Sequence, residues 1–225
     1  MNIARLAKAS LTYGVASMWG KALVLFWFLS IPAWGEEITV LAFGDSLTQG
    51  YGLPAEDGLV PQLEGWLRGQ GAEVRLINGG VSGDTTAGGA ARIDWSLTPD
   101  IDAMILTLGG NDLLRGIDPA VTRANLERIL DSTAERDVPV LLVGMQASGN
   151  YGAEFKSAFD AIYPDLAADY GVALYPSFFA GLGDGTPQSF LPYFQGDGIH
   201  PNAEGVRLIV AALGPAVLEL VDSAQ

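Results

Sequence analysis

Five short apolar runs, each separated from the next by a longer segment of helical period, restrict the fold of this chain more than any other feature. The runs cover residues 38–43, 74–77, 103–108, 138–143 and 172–175. Several of them are apolar at consecutive rather than alternate positions, which is typical of strands buried on both faces of a parallel sheet. Strands and helices that alternate in this way predict an α/β fold, a three-layer α/β/α sandwich joined by right-handed crossovers.

The segments between and after these runs have the period of amphipathic helices. They cover residues 59–70, 86–97, 119–136, 153–170 and 203–221. Five strands with such connections favour a flavodoxin-like five-stranded parallel sheet in one domain of residues 36–225. Trp66 and Trp95 lie on two of the helical segments and are expected to be core residues.

The first 35 residues are read as a cleaved signal peptide. Basic residues precede the apolar run 22–31, and Ala33 and Gly35 offer the small side chains that a signal peptidase recognises. The alternative is an uncleaved anchor over residues 11–34, but Lys21 interrupts it and the run that follows is too short to span a bilayer as a helix. The sequence therefore predicts a periplasmic or secreted bacterial protein with no stable membrane anchor.

The composition of residues 36–225 excludes several kinds of function. This part of the chain holds nine of the twelve Lys and Arg residues and all 26 acidic ones, so its formal charge is −17. Such a surface repels nucleic acid. The chain has no cysteine and a single histidine, whereas catalytic zinc takes two or three histidines, so we expect no metal site. Because no glycine-rich phosphate loop with a lysine is present, we also expect no nucleotide cofactor.

Residues that could take part in catalysis follow three of the predicted strands. Ser46 follows the first run, Gly83 the second and Asn111 the third. In a parallel sheet the carboxyl ends of the strands meet at one edge, where ligands bind. Asp197 and His200 precede the last helical segment, on a loop that can fold back over the same edge.

These residue types together meet the needs of acyl transfer. A serine hydroxyl requires a base, and His200 is the only histidine available. Asp197 can orient that imidazole, while the N–H groups of Ser46 and Gly83 and the amide of Asn111 can hold an oxyanion. Each motif alone is as typical of an ordinary turn or helix cap, and only their combination favours catalysis. Turn and cap hydrogen bonds are the expected role of three neighbouring acids: Asp45, Asp84 and Asp112.

Four blocks of sequence resemble those of the SGNH (GDSL) hydrolases. The blocks are Gly44-Asp45-Ser46-Leu47, Gly83, Gly110-Asn111-Asp112 and Asp197-Gly198-Ile199-His200-Pro201. Further stretches, such as Leu114-Arg115-Gly116 and Asn150-Tyr151-Gly152, are similar to the secreted bacterial arylesterase, acyl-CoA thioesterase I and lysophospholipase group. The resemblance implies Ser46, Asp197 and His200 as catalytic residues and Ser46, Gly83 and Asn111 as the oxyanion hole. It further implies an enzyme without cofactor or metal that cleaves a small ester, a thioester or a lysophospholipid. We also expect the protein to be a monomer.

Two other functions remain open from the sequence. A carbohydrate O-acetylesterase on the same scaffold would need a small, polar site, and a non-catalytic ligand-binding module would not use the serine at all. Residues 146–152 would correspond to a loop that lines the acyl pocket in the resembling group, but they are mostly small here, so the preferred acyl length cannot be carried over. Residues 178–194 are rich in aromatic side chains and could form an apolar wall or lid, or an ordinary packed loop.

Overall fold

The five predicted runs form one parallel sheet in a computed structural model, which describes residues 37–183 and 187–225. The strands are β1 (Ile38–Gly44), β2 (Val74–Gly80), β3 (Ala103–Thr107), β4 (Val140–Val143) and β5 (Ala173–Tyr175). Their spatial order is β2-β1-β3-β4-β5, which is the flavodoxin-like order. The predicted fold class and strand order are therefore confirmed.

The five long helices lie close to the predicted segments, and three short ones were not predicted. The helices are α1 (Ser46–Gln49), α2 (Leu59–Gly69), α3 (Thr86–Ser96), α4 (Gly110–Leu114), α5 (Pro119–Ala134), α6 (Ala153–Tyr170), α7 (Pro187–Phe190) and α8 (Ala203–Ser223). Helix α2 packs against α8, while α3 packs against α5 and α5 against α6. Two helical layers thus enclose the sheet.

Burial follows from this layering. Every residue of β1, β3 and β4 is buried, which explains why their sequences are apolar without alternation. The outer strands β2 and β5 are partly exposed. The core therefore lies on both faces of the three central strands.

The strand order reverses between β1 and β3, and the strands next to this point end at the same level. Gly44 at the end of β1 pairs with Gly80 of β2 and with Thr107 of β3. Helix α1 follows β1 directly, and α4 begins three residues after β3. The residues that follow these strands therefore meet at one edge of the sheet.

One of the two tryptophan predictions was wrong. Trp66 is partly buried and packs on Gly214 of α8, where an added Cβ would lie 2.5 Å from the indole ring. Trp95 is 73% exposed. It lies two residues after the buried Ile93, a rotation of about 200° around the helix, so it faces solvent.

The described part of segment 178–194 packs as an ordinary loop. Phe178 is buried, its ring meets Phe179 edge to face at 5.0 Å, and the stretch Phe178–Leu182 packs against α8. Phe179 in turn contacts the ring of Phe194 at 5.6 Å. These aromatic residues anchor the chain just before the loop that carries His200.

The predicted signal peptide, residues 1–35, lies outside the described residues, so the domain boundary stays a prediction. Across 37–183 and 187–225, no helix combines the length and the apolar character needed to cross a bilayer.

Gly80 allows α1 to lie directly on the end of β2. An added Cβ at this position would lie 2.3 Å from the Gln49 nitrogen and 2.9 Å from the Asp45 carbonyl oxygen, both of them backbone atoms. We expect Gly80→Ala to cost about 1–3 kcal/mol of unfolding free energy, because backbone must move to admit the methyl group. Urea unfolding measures this cost.

Gly65 supplies the matched control, since an added Cβ there meets no atom within 4 Å and the position lies inside α2. Gly65→Ala should raise stability by roughly 0.5–1 kcal/mol. Equal stability of the two variants would contradict the close packing of α1 on β2.

Candidate active site

Ser46 is the first residue of α1, directly after the buried strand β1. Asp45 caps this helix, because its Oδ1 accepts a hydrogen bond of 3.0 Å from the Leu47 nitrogen. The Ser46 side chain is largely buried, yet its Oγ lies 2.8 Å from Nε2 of His200. The two residues are 154 positions apart in sequence, so the fold itself brings them together.

The Asp197–His200 turn is closed by its own hydrogen bonds. Oδ1 of Asp197 accepts from the backbone nitrogens of Ile199 at 2.9 Å and His200 at 3.0 Å. Its Oδ2 lies 2.7 Å from Nδ1 of His200. Gly198 takes a positive φ of 68° inside this turn, a conformation that favours glycine.

The charge of Asp197 determines the tautomer of His200. The hydrogen bond from His200 and those from the two backbone nitrogens lower the pKa of Asp197 to about 2. An ionised carboxylate can only accept hydrogen bonds, so Nδ1 of His200 carries the proton. Nε2 is then the acceptor, and the Ser46 hydroxyl donates to it.

Gln195 joins the loop that carries His200 to Tyr51, which lies two residues after α1; sequence reasoning missed this role. Its Nε2 donates to the carbonyl oxygens of Tyr51 at 2.8 Å and Pro201 at 2.9 Å, and its backbone nitrogen donates to the carbonyl oxygen of His200 at 2.8 Å. The ring of Tyr51 also contacts the His200 ring at 4.7 Å between centroids. The contact between Gln195 and Tyr51 joins positions 144 apart in the chain, and no local pattern marks it.

Asn111 and Gly83 lie at the same edge of the sheet as Ser46. Asn111 is in the first turn of α4, and its Nδ2 donates to Oδ2 of Asp45 at 3.2 Å. Gly83 has a φ of 81° in the turn that Asp84 closes by donating its N–H to the Val81 carbonyl oxygen. The residues predicted for the site are thus gathered at one place.

Arg115 holds the turn that contains Gly83 by a side-chain hydrogen bond. Its Nη2 donates to the Gly83 carbonyl oxygen at 2.7 Å, which ties the turn after β2 to the end of α4. The only sequence signal for Arg115 was its place in the Leu114-Arg115-Gly116 stretch that resembles one group of hydrolases.

Three acidic residues near Ser46, Gly83 and Asn111 make structural contacts. Asp45 caps α1 as expected, and Asp112 accepts a hydrogen bond of 2.8 Å from the backbone nitrogen of Thr86, the first residue of α3. Asp84 makes the expected turn hydrogen bond through its backbone nitrogen, and its side chain also forms a largely buried ion pair with Arg92 at 2.8 Å, which was not predicted. Arg92 also donates to the Gly44 carbonyl oxygen at 2.9 Å and therefore braces the end of β1.

Exposed apolar side chains stand close in sequence to the predicted site residues. Eight large hydrophobic side chains are exposed in the described part of the chain, and four of them lie within five residues of Ser46, Gly83, Asn111 or His200. These are Tyr51, Val81, Leu114 and Ile199. The Tyr151 hydroxyl donates to the Leu114 carbonyl oxygen at 3.1 Å, so the loop over residues 146–152 closes against the end of α4.

Residues 37–183 and 187–225 hold no group of three or more acidic or histidine side chains that could bind a metal ion.

A serine, a histidine and a carboxylate in one line of hydrogen bonds, at the carboxyl edge of a flavodoxin-like sheet, are the arrangement of a serine hydrolase. Comparison with known proteins agrees. The model of the GDSL-like lipase/acylhydrolase family matches residues 42–208. The chain belongs to this family of SGNH hydrolases and is an ester-hydrolysing enzyme.

The relatives have activities of this kind in their names. The chain is 38% identical to esterase TesA of Pseudomonas aeruginosa over 72% of its own length and 79% of that protein. It is 34% identical to thioesterase 1/protease 1/lysophospholipase L1 of Escherichia coli K12, over 82% of its own length and 85% of the relative. The chain is 45% identical in sequence to the SGNH-family esterase AlinE4. Its structure superposes on the crystal structure of AlinE4 with a TM-score of 0.67, over 82% of this chain and 97% of that one.

Proposed function

We propose that Ser46 is the nucleophile of this esterase and that Asp197 and His200 activate it. The observation that carries the proposal is the continuous line of hydrogen bonds from Ser46 Oγ to His200 Nε2 at 2.8 Å and from His200 Nδ1 to Asp197 Oδ2 at 2.7 Å. His200 takes the serine proton as Oγ attacks the carbonyl carbon. Asp197 stays ionised throughout and stabilises the imidazolium that forms.

The oxyanion of the tetrahedral intermediate is held by three donors. They are the backbone nitrogens of Ser46 and Gly83 and the side-chain amide of Asn111. The Ser46 nitrogen lies in the first turn of α1, where backbone N–H groups have no acceptor within the helix. His200 then protonates the leaving group, and water attacks the acyl-enzyme with His200 again acting as the base.

The substrate is a carboxylic ester or thioester with an apolar acyl group, and a lysophospholipid is one such molecule. The exposed apolar side chains beside the site, such as Leu114 and Tyr151, support this class over a sugar acetate, which would favour polar contacts. The names of the Escherichia coli relative, thioesterase and lysophospholipase, support it as well. We further propose that residues 1–35 direct the enzyme to the periplasm or the medium as a cleaved signal, and that it acts there as a monomer.

A series of 4-nitrophenyl esters from two to sixteen carbons tests the substrate class, with an acetylated sugar and a lysophospholipid measured beside it. We expect kcat/KM to rise from acetate toward longer chains, because each buried methylene adds about 0.8 kcal/mol of binding. Val81 and Leu114 would bury part of the chain. Fastest turnover on the acetylated sugar, with no gain from a longer acyl group, would replace this proposal with an O-acetylesterase.

A further inference from the structure

Asp45 joins the helix that carries Ser46 to the helix that carries Asn111. It is 1% exposed, and its two oxygens have different partners. Oδ1 accepts from the Leu47 nitrogen at 3.0 Å and so caps α1, whereas Oδ2 accepts from Nδ2 of Asn111 at 3.2 Å. The cap alone explains only one of these two contacts.

The second contact determines how the amide of Asn111 is turned. An amide has an oxygen that accepts and a nitrogen that donates two hydrogen bonds, and a half-turn about its last torsion exchanges them. Because an ionised carboxylate only accepts, Asp45 holds the nitrogen on its own side and disfavours the turned amide, whose oxygen would face a negative charge. One N–H points at Oδ2, which leaves the other for an oxyanion.

We infer that Asp45 is a positioning residue, which keeps the Asn111 amide turned so that an N–H, and never the carbonyl oxygen, faces the oxyanion of the ester being cleaved. This inference rests on the proposed function, in which Asn111 is an oxyanion donor. A turned amide would place an acceptor against the oxyanion and remove one of its three donors. Loss of such a donor typically lowers turnover by about 100- to 1,000-fold.

The burial of Asp45 also makes its control over the Asn111 amide depend on pH. Desolvation raises the pKa of Asp45 to about 6, against the lowering effects of the Leu47 and Asn111 hydrogen bonds and of the charge on His200. Asp84 raises it further. The other charged or titratable groups on the elements around Asp45 are Arg92, which is paired with Asp84, then Asp112, and the buried hydroxyl of Tyr163. A protonated Asp45 no longer enforces the donor orientation of Asn111, so the donor is secured only above about pH 6.

Asp45→Asn separates positioning from capping. Asparagine caps a helix as well as aspartate does, so α1 keeps its cap, but the new amide no longer requires a donor from Asn111. We expect kcat to fall by about 10- to 100-fold at pH 8, with KM nearly unchanged, because an oxyanion contact is made only in the transition state. Asp102→Asn is the matched control: its Oδ2 accepts from the Thr39 nitrogen at the opposite end of β1, and turnover should stay at the wild-type value.

A double-mutant cycle with Asn111→Ala distinguishes positioning from general damage. If Asp45 acts through Asn111, adding Asp45→Asn to Asn111→Ala lowers kcat by less than about threefold further, because the amide to be oriented is already absent. If the double variant loses the full product of the two single effects, the inference is wrong. Retained turnover in Ser46→Ala would instead overturn the proposed function, so the two failures can be told apart.

The pH profile needs no substitution at Asp45 and keeps the test available if Asp45→Asn does not fold. In the wild type the acid side of the log kcat/KM profile should fall with a slope above one, because loss of a single general base gives a slope of one and the proton taken up by Asp45 adds to it. In Asn111→Ala the slope should return to one, because the charge of Asp45 then has no amide to orient. A slope of one in both proteins, or a steeper slope in both, contradicts the inference.

Discussion

We expect Ser46→Ala to lower kcat for a short aryl ester by at least about 10⁴-fold while the protein keeps its fold. The reason is chemical, since alanine offers no oxygen to attack the carbonyl carbon, and loss of the nucleophile in a serine hydrolase costs this much or more. The hydroxyl donates to His200 Nε2, so its removal takes away one hydrogen bond and little packing. Hydrolysis of 4-nitrophenyl butyrate, with the melting temperature measured beside it, checks both parts of the expectation.

Ser82 is the matched control for this variant. It is exposed, it stands next to Gly83, and its Oγ donates to the side chain of Gln49 at 2.9 Å rather than to the imidazole. We expect Ser82→Ala to keep turnover within about threefold of the wild type, since exposed hydroxyls away from the reacting atoms contribute little. Turnover retained in Ser46→Ala and lost in Ser82→Ala would exchange the two assignments.

His200→Ala has the second-largest expected effect. We expect kcat/KM to fall by about 10⁴-fold or more, because without a base the serine proton has no acceptor at neutral pH. No other histidine exists in the chain, so no neighbouring imidazole can replace the missing one. Steady-state kinetics on the same aryl ester measures the loss.

The loop that carries residue 200 should keep its conformation in His200→Ala. Its backbone is held by Gln195, whose nitrogen donates to the carbonyl oxygen of residue 200, and by Asn202, which caps α8. The melting temperature should therefore change little. A variant that keeps more than a few per cent of wild-type activity would remove His200 from the role of base.

The fold was open to prediction because its pattern is strong. Runs such as 38–43 and 103–108 are apolar on both faces, and each is followed by a long segment of helical period. Helices α1 and α4 were not foreseen, since they have four and five residues and too few turns to show a period. Their existence depends on caps and on contacts across the sheet edge. Trp95 shows the opposite error, in which an apolar type suggested the core although its position on α3 faces solvent.

The place of the proposed site residues was predictable as far as they follow strands. Ser46, Gly83 and Asn111 each lie within four residues after the end of a strand, and topology alone brings such positions to one edge of the sheet. Gln195 and Arg115 could not be derived in this way. Their side chains bond to the backbone of Tyr51 and Gly83 across long stretches of sequence, and such a contact leaves no periodic or compositional signal.

The double contact of Asp45 was also beyond the sequence. A cap on the helix after β1 is the ordinary reading of an aspartate before a serine. That the second oxygen of Asp45 reaches Asn111 depends on the register of β1 against β3, which places the two helix starts side by side. One carboxylate can therefore serve a structural and a positioning role.

Reaction of the full chain with a fluorophosphonate, followed by peptide mapping with mass spectrometry, tests whether Ser46 is the nucleophile and whether His200 activates it. We expect one adduct, on Ser46, which is absent in Ser46→Ala and forms far more slowly in His200→Ala. An adduct on a different serine, or ester hydrolysis that continues with Ser46 fully modified, would contradict this expectation.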